Sequence, residues 1–114
     1  MERISGDELR GHLEMLVLSL LERGEAHGYE ILQRLEALGC GSLRMKEGSL
    51  YPVLYRLEEA GDIKARWESD AEGRRGPRRR LYRLTPRGTR ELARRRQAWR
   101  QFVEVVGRIA EATT

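Results

Sequence analysis

Cysteine occurs once in this chain of 114 residues, at Cys40, phenylalanine once, and proline three times. A single cysteine excludes a disulfide framework within a monomer and a metal site built on paired thiolates. Aromatic residues make up 6% of the sequence, against 35% for charged ones. A chain of that length and make-up buries a modest core, enough for one small domain, and a partner subunit is expected to cover part of its surface. Long apolar runs are missing as well. The longest, "MLVLSLL" at residues 15–21, falls far short of the roughly 20 residues that cross a bilayer. The opening "MERISGDELR" is charged where a signal peptide has its apolar core. A reducing cytoplasm and no membrane partner are the expectation. Catalytic signatures are also wanting. His12 and His27 have no partner at useful spacing, and "GCGS" at residues 39–42 follows a helix and lacks the Gly-Lys pair of a phosphate loop. No cofactor, metal or enzymatic activity is expected.

What is present is positive charge in one place. The net charge is +4 and the sequence pI about 9.7. Residues 64–100 hold 14 Lys and Arg against 4 Asp and Glu, so the remainder of the chain is net acidic. Such a balance favours an acidic partner, either nucleic acid or an anionic surface.

Apolar spacing predicts a first helix over residues 9–23, capped by Asp7 and ended by Gly24. Its apolar stripe is wider than one face, as suits a helix covered by its own core and by a second subunit. A second helix is predicted over residues 28–38. A third starts at Ser49 as N-cap, with Pro52 in its first turn, Leu50, Val53, Leu54 and Leu57 inward, and Gly61 as the C-terminal glycine. Residues 63–69 alternate as a half-buried strand, with Trp67 facing the core. "DAEGRRGPR" is a turn-rich connector, and "RRLYRLT" a second strand. Thr85 caps a last helix with Pro86 at its first position, running to about Ala110.

The fold class is thus mainly α with a two-stranded β-hairpin: a winged helix-turn-helix over residues 1–85, and a C-terminal dimerisation helix over residues 86–114. The third helix of such a motif enters the DNA major groove. Its outer face, with Ser49, Tyr51, Pro52, Tyr55 and Arg56, mixes hydroxyls, rings and charge suited to base edges, thymine methyls and phosphates. Tyr29, on the second helix, reaches either a phosphate or the core. Arg74, Arg75, Arg78 and Arg79 in the wing "GRRGPRRR" are placed on the DNA backbone. Leu9, Leu13, Leu16, Leu92, Trp99, Val103, Val106 and Ala110 form the expected subunit interface.

At this point "LRGHLEMLVLSLL", "HGYEI", "EGSLYPVLYRLEEAGDI" and "YRLTPRG" resemble, in order and over nearly the whole chain, the PadR family of bacterial transcriptional regulators. The resemblance implies a homodimer joined through the first and last helices. It also implies a repressor of a pseudo-palindromic double-stranded operator, released by a small molecule or by stress. The single C-terminal helix is similar to that of the compact subfamily. In some of those members a tryptophan on the last helix meets its two-fold mate across a pore, and Trp99 stands at the matching place. An apolar or aromatic effector would then meet Trp99, with Met15 and Val103 beside it.

Plainer readings stand next to these. Tyr51 and Tyr55 could cover core edges, the arginine run could be a solvated loop, Trp99 could pack a dimer without lining a pocket, and His27 and His12 are structural. Cys40, between two glycines, has no helper base for a redox role. The alternative function is a winged-helix module working through protein or RNA contacts, with only non-specific DNA affinity. Preference for two half-sites at a fixed spacing separates it from a dimeric repressor.

Overall fold

A computed structural model describes Ile4 and residues 6–9, 11–39, 45–69 and 76–112. Cys40, Arg74 and Arg75 lie outside the described residues, and with them the redox reading of Cys40 and the phosphate contacts expected of the two arginines.

The chain opens with a short helix, α1 (Gly6–Leu9), followed by α2 (Leu13–Leu21). The single helix predicted over residues 9–23 does not form. Gly11 adopts φ +91°, a conformation open to glycine at little cost, and divides the segment. Apolar spacing continues across the break, so periodicity alone could not reveal it. Asp7 therefore lies within α1 and not at the start of a longer helix. Val17, Leu18, Leu20 and Leu21 of α2 are buried at the centre of the core, where α3, α4 and α5 all pack on this helix.

β1 (Ala26–His27) leads into α3 (Gly28–Leu38), whose limits are those predicted. His27 caps it. Its Nδ1 accepts from the Glu30 N–H at 3.3 Å while Glu30 Oε1 accepts from the His27 N–H at 3.2 Å, a reciprocal capping box. That is the structural role expected of the histidine in "HGYEI".

α4 (Glu47–Glu59) starts earlier than predicted. Lys46, not Ser49, is its N-cap residue, and the Lys46 carbonyl accepts from the Ser49 and Leu50 N–H groups at 2.9 and 3.1 Å. Pro52 consequently falls in the second turn, where it withholds an N–H from the Gly48 carbonyl. Leu50, Val53, Leu54 and Leu57 are buried, as the pattern required. The helix ends in a Schellman arrangement around Gly61 (φ +84°), with Gly61 N–H on the Glu58 carbonyl and Asp62 N–H on the Leu57 carbonyl.

β2 (Ile63–Trp67) and β3 (Arg80–Leu84) form the antiparallel hairpin, with Ile63 opposite Leu84, Ala65 opposite Tyr82 and Trp67 opposite Arg80. The sheet has one strand more than predicted: β1 pairs with the other edge of β3, in the order β1-β3-β2. Two residues are too few to show alternation in sequence. Trp67, predicted inward, is 55% exposed. Burial fades along β2 from Ile63 outward, because the helices cover only the start of the strand.

α5 (Pro86–Ala110) begins at Pro86 and ends at Ala110, as predicted, with Thr85 Oγ1 accepting from the Gly88 N–H at 3.0 Å. Leu92, expected at a subunit contact, is 1% exposed and belongs to the chain's own core, leaving it no surface for a partner. The far half of α5 extends beyond that core and makes the molecule 63 Å long by 31 by 21 Å.

Candidate nucleic-acid interface

α4 separates its residues sharply. The leucines and Val53 are buried, while Ser49, Tyr51, Pro52, Tyr55 and Arg56 are all exposed on the outer side, Tyr55 at 67%. Tyr51 and Tyr55 stand one turn apart. Tyr51 leans toward α3: a Cβ on Gly28 would lie 2.8 Å from its hydroxyl, so glycine at that position lets the ring approach the first turn of α3. Arg56 turns the other way and pairs with Glu14 of α2, Nε to Oε1 at 3.0 Å.

Between the start of α3, Tyr51 and the hairpin lies an open cleft of about 630 Å³. Tyr29 is exposed at one wall and Arg78, Arg79 and Arg80 form another, with Trp67 at the edge. Arg80 places its guanidinium 5.5 Å over the Trp67 ring and bonds Glu58 Oε2 of α4 at 2.9 Å. Arg79 Nη1 lies 2.5 Å from His27 Nε2. With Nδ1 accepting at the helix cap, Nε2 of the neutral ring carries the proton and faces Glu30 Oε1 at 3.1 Å. Tyr82, on the floor, keeps its proton more firmly than a free tyrosine because burial disfavours the phenolate. The cleft therefore presents cations, hydroxyls and ring faces, the chemistry that meets a sugar-phosphate backbone.

α4 is tied to α5 at its end. The Asp62 carbonyl accepts from the Thr85 N–H at 3.1 Å, and Thr85 Oγ1 donates to the Gly61 carbonyl at 2.7 Å. A Cβ on Gly88 would sit 1.9 Å from that Asp62 carbonyl oxygen, so only glycine permits the approach. Arg87 Nε lies 3.4 Å from Asp62 Oδ1. The two motifs "EAGDI" and "LTPRG", distant in sequence, are halves of one joint.

Along α5, Trp99, Phe102, Val103, Val106 and Ile109 are exposed, Ile109 at 77%, and Ala110 with them. Leu9, Leu13 and Leu16 are half-buried against the core nearby. Trp99 stacks on Phe102 with centroids 5.9 Å apart and meets His12 edge-on at 5.1 Å. A cavity of about 220 Å³ is lined by Met15, Trp99, His12, Phe102 and the Arg94 and Arg95 side chains. Val103, grouped with Met15 and Trp99 on sequence, is not part of that lining. The sequence reading missed Trp67 and Gly28 at the wing cleft, and placed Arg80 in the wing without foreseeing its contacts with Trp67 and Glu58. Only the position of Trp67 beside the basic run hinted at it.

Residues 17–94 match the transcriptional regulator PadR-like family. The chain belongs to that family. An uncharacterized protein of Lysinibacillus sphaericus is 31% identical over 103 residues, covering 90% of this chain and 92% of that one. Among solved structures, a transcriptional regulator from Clostridium thermocellum is 31% identical with a TM-score of 0.82, covering 92% of this chain and 96% of the other. A PadR family transcription regulator from Clostridium difficile is 32% identical with a TM-score of 0.75, covering 88% and 99%. This PadR-family chain is thus a DNA-binding transcriptional regulator of winged-helix fold, and not an enzyme. No helix among the described residues is long and apolar enough to cross a membrane.

Proposed function

We propose that the chain is a homodimeric repressor in the cytoplasm. It binds a pseudo-palindromic operator with α4 in the major groove and Tyr29 and the wing arginines on the flanking backbone. A small apolar or aromatic effector bound near Met15 and Trp99 lowers that affinity. The observation that carries the dimer, and with it the two-fold operator, is the apolar face of α5. Trp99, Phe102, Val103, Val106 and Ile109 stand exposed along one helix. An uncovered stripe of that kind marks a protein contact, and a second copy of the same helix is the self-complementary cover. Two recognition helices held by a symmetric pair of α5 helices read two half-sites, which supports a palindromic target. The cavity beside Trp99 adjoins the same stripe, so an effector there would act where the subunits meet.

Sedimentation equilibrium tests the dimer. The native chain is expected to sediment as two copies, and Val103→Glu, with a charge on the apolar stripe, as one. A native chain that stays monomeric at micromolar concentration would contradict the proposal.

A further inference from the structure

Glu14 lies on α2, behind the outer face of α4, and its carboxylate is shared. Oε1 accepts from Arg56 Nε at 3.0 Å and Oε2 accepts from Arg95 Nη2 at 2.7 Å. Arg56 follows Tyr55 on α4. Arg95 sits on α5, one turn before Trp99, and lines the cavity that Trp99 and Met15 enclose. Arg95 also bonds Glu91 Oε1 of its own helix at 2.9 Å. Glu14, Arg56 and Arg95 border a cleft of about 300 Å³ that is open to water, so both guanidinium groups can exchange partners.

One carboxylate carries one charge and here faces two cations. While Arg95 occupies Oε2, part of the Arg56 charge stays unneutralised and available to a phosphate. If Arg95 withdraws with α5, Glu14 neutralises Arg56 alone. We infer that Glu14 is a positioning residue of the DNA-binding face, through which the charge that Arg56 offers to DNA depends on where Arg95, and with it α5, stands. The inference rests on the reading of α4 as the DNA-facing helix. Linkage makes the effect reciprocal: DNA that takes Arg56 releases Glu14 to Arg95 and holds α5 in place. Exposed ion pairs are individually weak, so the device tunes affinity by a few-fold and does not switch it off.

Binding of the full chain to a labelled mixed-sequence duplex, followed by anisotropy over a salt series, tests this. Glu14→Gln releases Arg56 and is expected to tighten binding about threefold, with the salt dependence steeper by roughly one phosphate contact. Arg95→Gln leaves Glu14 wholly to Arg56 and is expected to weaken binding by about the same factor. Any added or removed charge shifts affinity through the general field, so the deciding comparison is the Arg56→Gln background, where both changes should largely vanish. Arg95→Met keeps the aliphatic stem beside Trp99 and should behave as Arg95→Gln does. Melting of each variant is followed alongside. Single substitutions that act in the same direction, or effects that persist undiminished in Arg56→Gln, would overturn the inference. A native chain with no salt-dependent binding would overturn the reading of α4 itself, and is distinguishable from a native chain that binds while its variants do not diverge.

Discussion

Gly88 shows how much one missing Cβ can matter. Its backbone passes so close to the Asp62 carbonyl that an added methyl group would overlap it. The obstacle is backbone, itself bonded to Thr85, so it cannot swing aside. Gly88→Ala is expected to lower stability by about 1–3 kcal/mol or more, read as a shift in the urea midpoint; an unchanged midpoint would mean that the joint between α4 and α5 gives way freely. Glu91 makes a second prediction. Hydrogen bonds from Arg94, aided by Arg95, hold its carboxyl at a pKa of about 2 against the ordinary 4.5. A carboxylate with a depressed folded-state pKa contributes stability that is present above its unfolded value and lost as pH falls toward the folded one. Acidification from about 4.5 to about 2 should therefore destabilise the native chain more than Glu91→Gln, as followed by thermal melts across that range. Residues of this kind divide by range. Thr85 was legible as a cap because a cap followed by proline is a local arrangement, whereas His27 was read only as structural and its reciprocal bonds with Glu30 were not foreseen. Gly28 and Gly88 as close approaches, and the Glu14–Arg56 pair, were not, because each depends on a neighbour supplied by another element.

Among the elements, α3, the hairpin and α5 could be read with their limits nearly right. Their signals were strong: uninterrupted apolar spacing, alternation, and a Thr-Pro start. The failures came where a local feature overrode the period. Gly11 split the first helix without disturbing its apolar pattern. Ser49 and Pro52 looked like a helix start, but α4 had already begun at Glu47. Trp67 obeyed strand alternation, yet the strand outran its cover, and the ring lies beside the wing arginines. The functional faces carry two predictions. Tyr55→Ala removes an exposed ring from α4 and should weaken specific DNA binding by about 1–3 kcal/mol without changing the melting temperature. Equal affinity for native and variant would count against α4 as the reading helix. Joint replacement of Arg78 and Arg79 by glutamine should weaken binding to every duplex alike and flatten its salt dependence. A change confined to sequence preference would contradict their placement on the backbone.

At the scale of the molecule, two surfaces differ in character. One end carries the exposed tyrosines and the arginine-lined cleft; the other extends a bare apolar helix away from the core. The charge asymmetry was visible in composition and pointed to nucleic acid. The later apolar positions of α5 suggested a partner from the sequence, and in the structure Val103, Val106 and Ile109 stand exposed. What composition could not show is how near the two ends are in energetic terms. The Asp62–Gly88 joint and the shared Glu14 carboxylate run between α4 and α5, so movement of α5 has a short path to α4. A dimer with that construction should discriminate by geometry as well as by base contacts, favouring paired half-sites over single ones.

The most direct measurement is anisotropy of a labelled duplex from the region upstream of the chain's own gene, set against a scrambled duplex of equal length at near-physiological salt. A preference of about 10³ or more, with two chains bound per site, is expected. Equal affinity for both duplexes, lost together as salt rises, would contradict it and leave only a basic module without sequence preference.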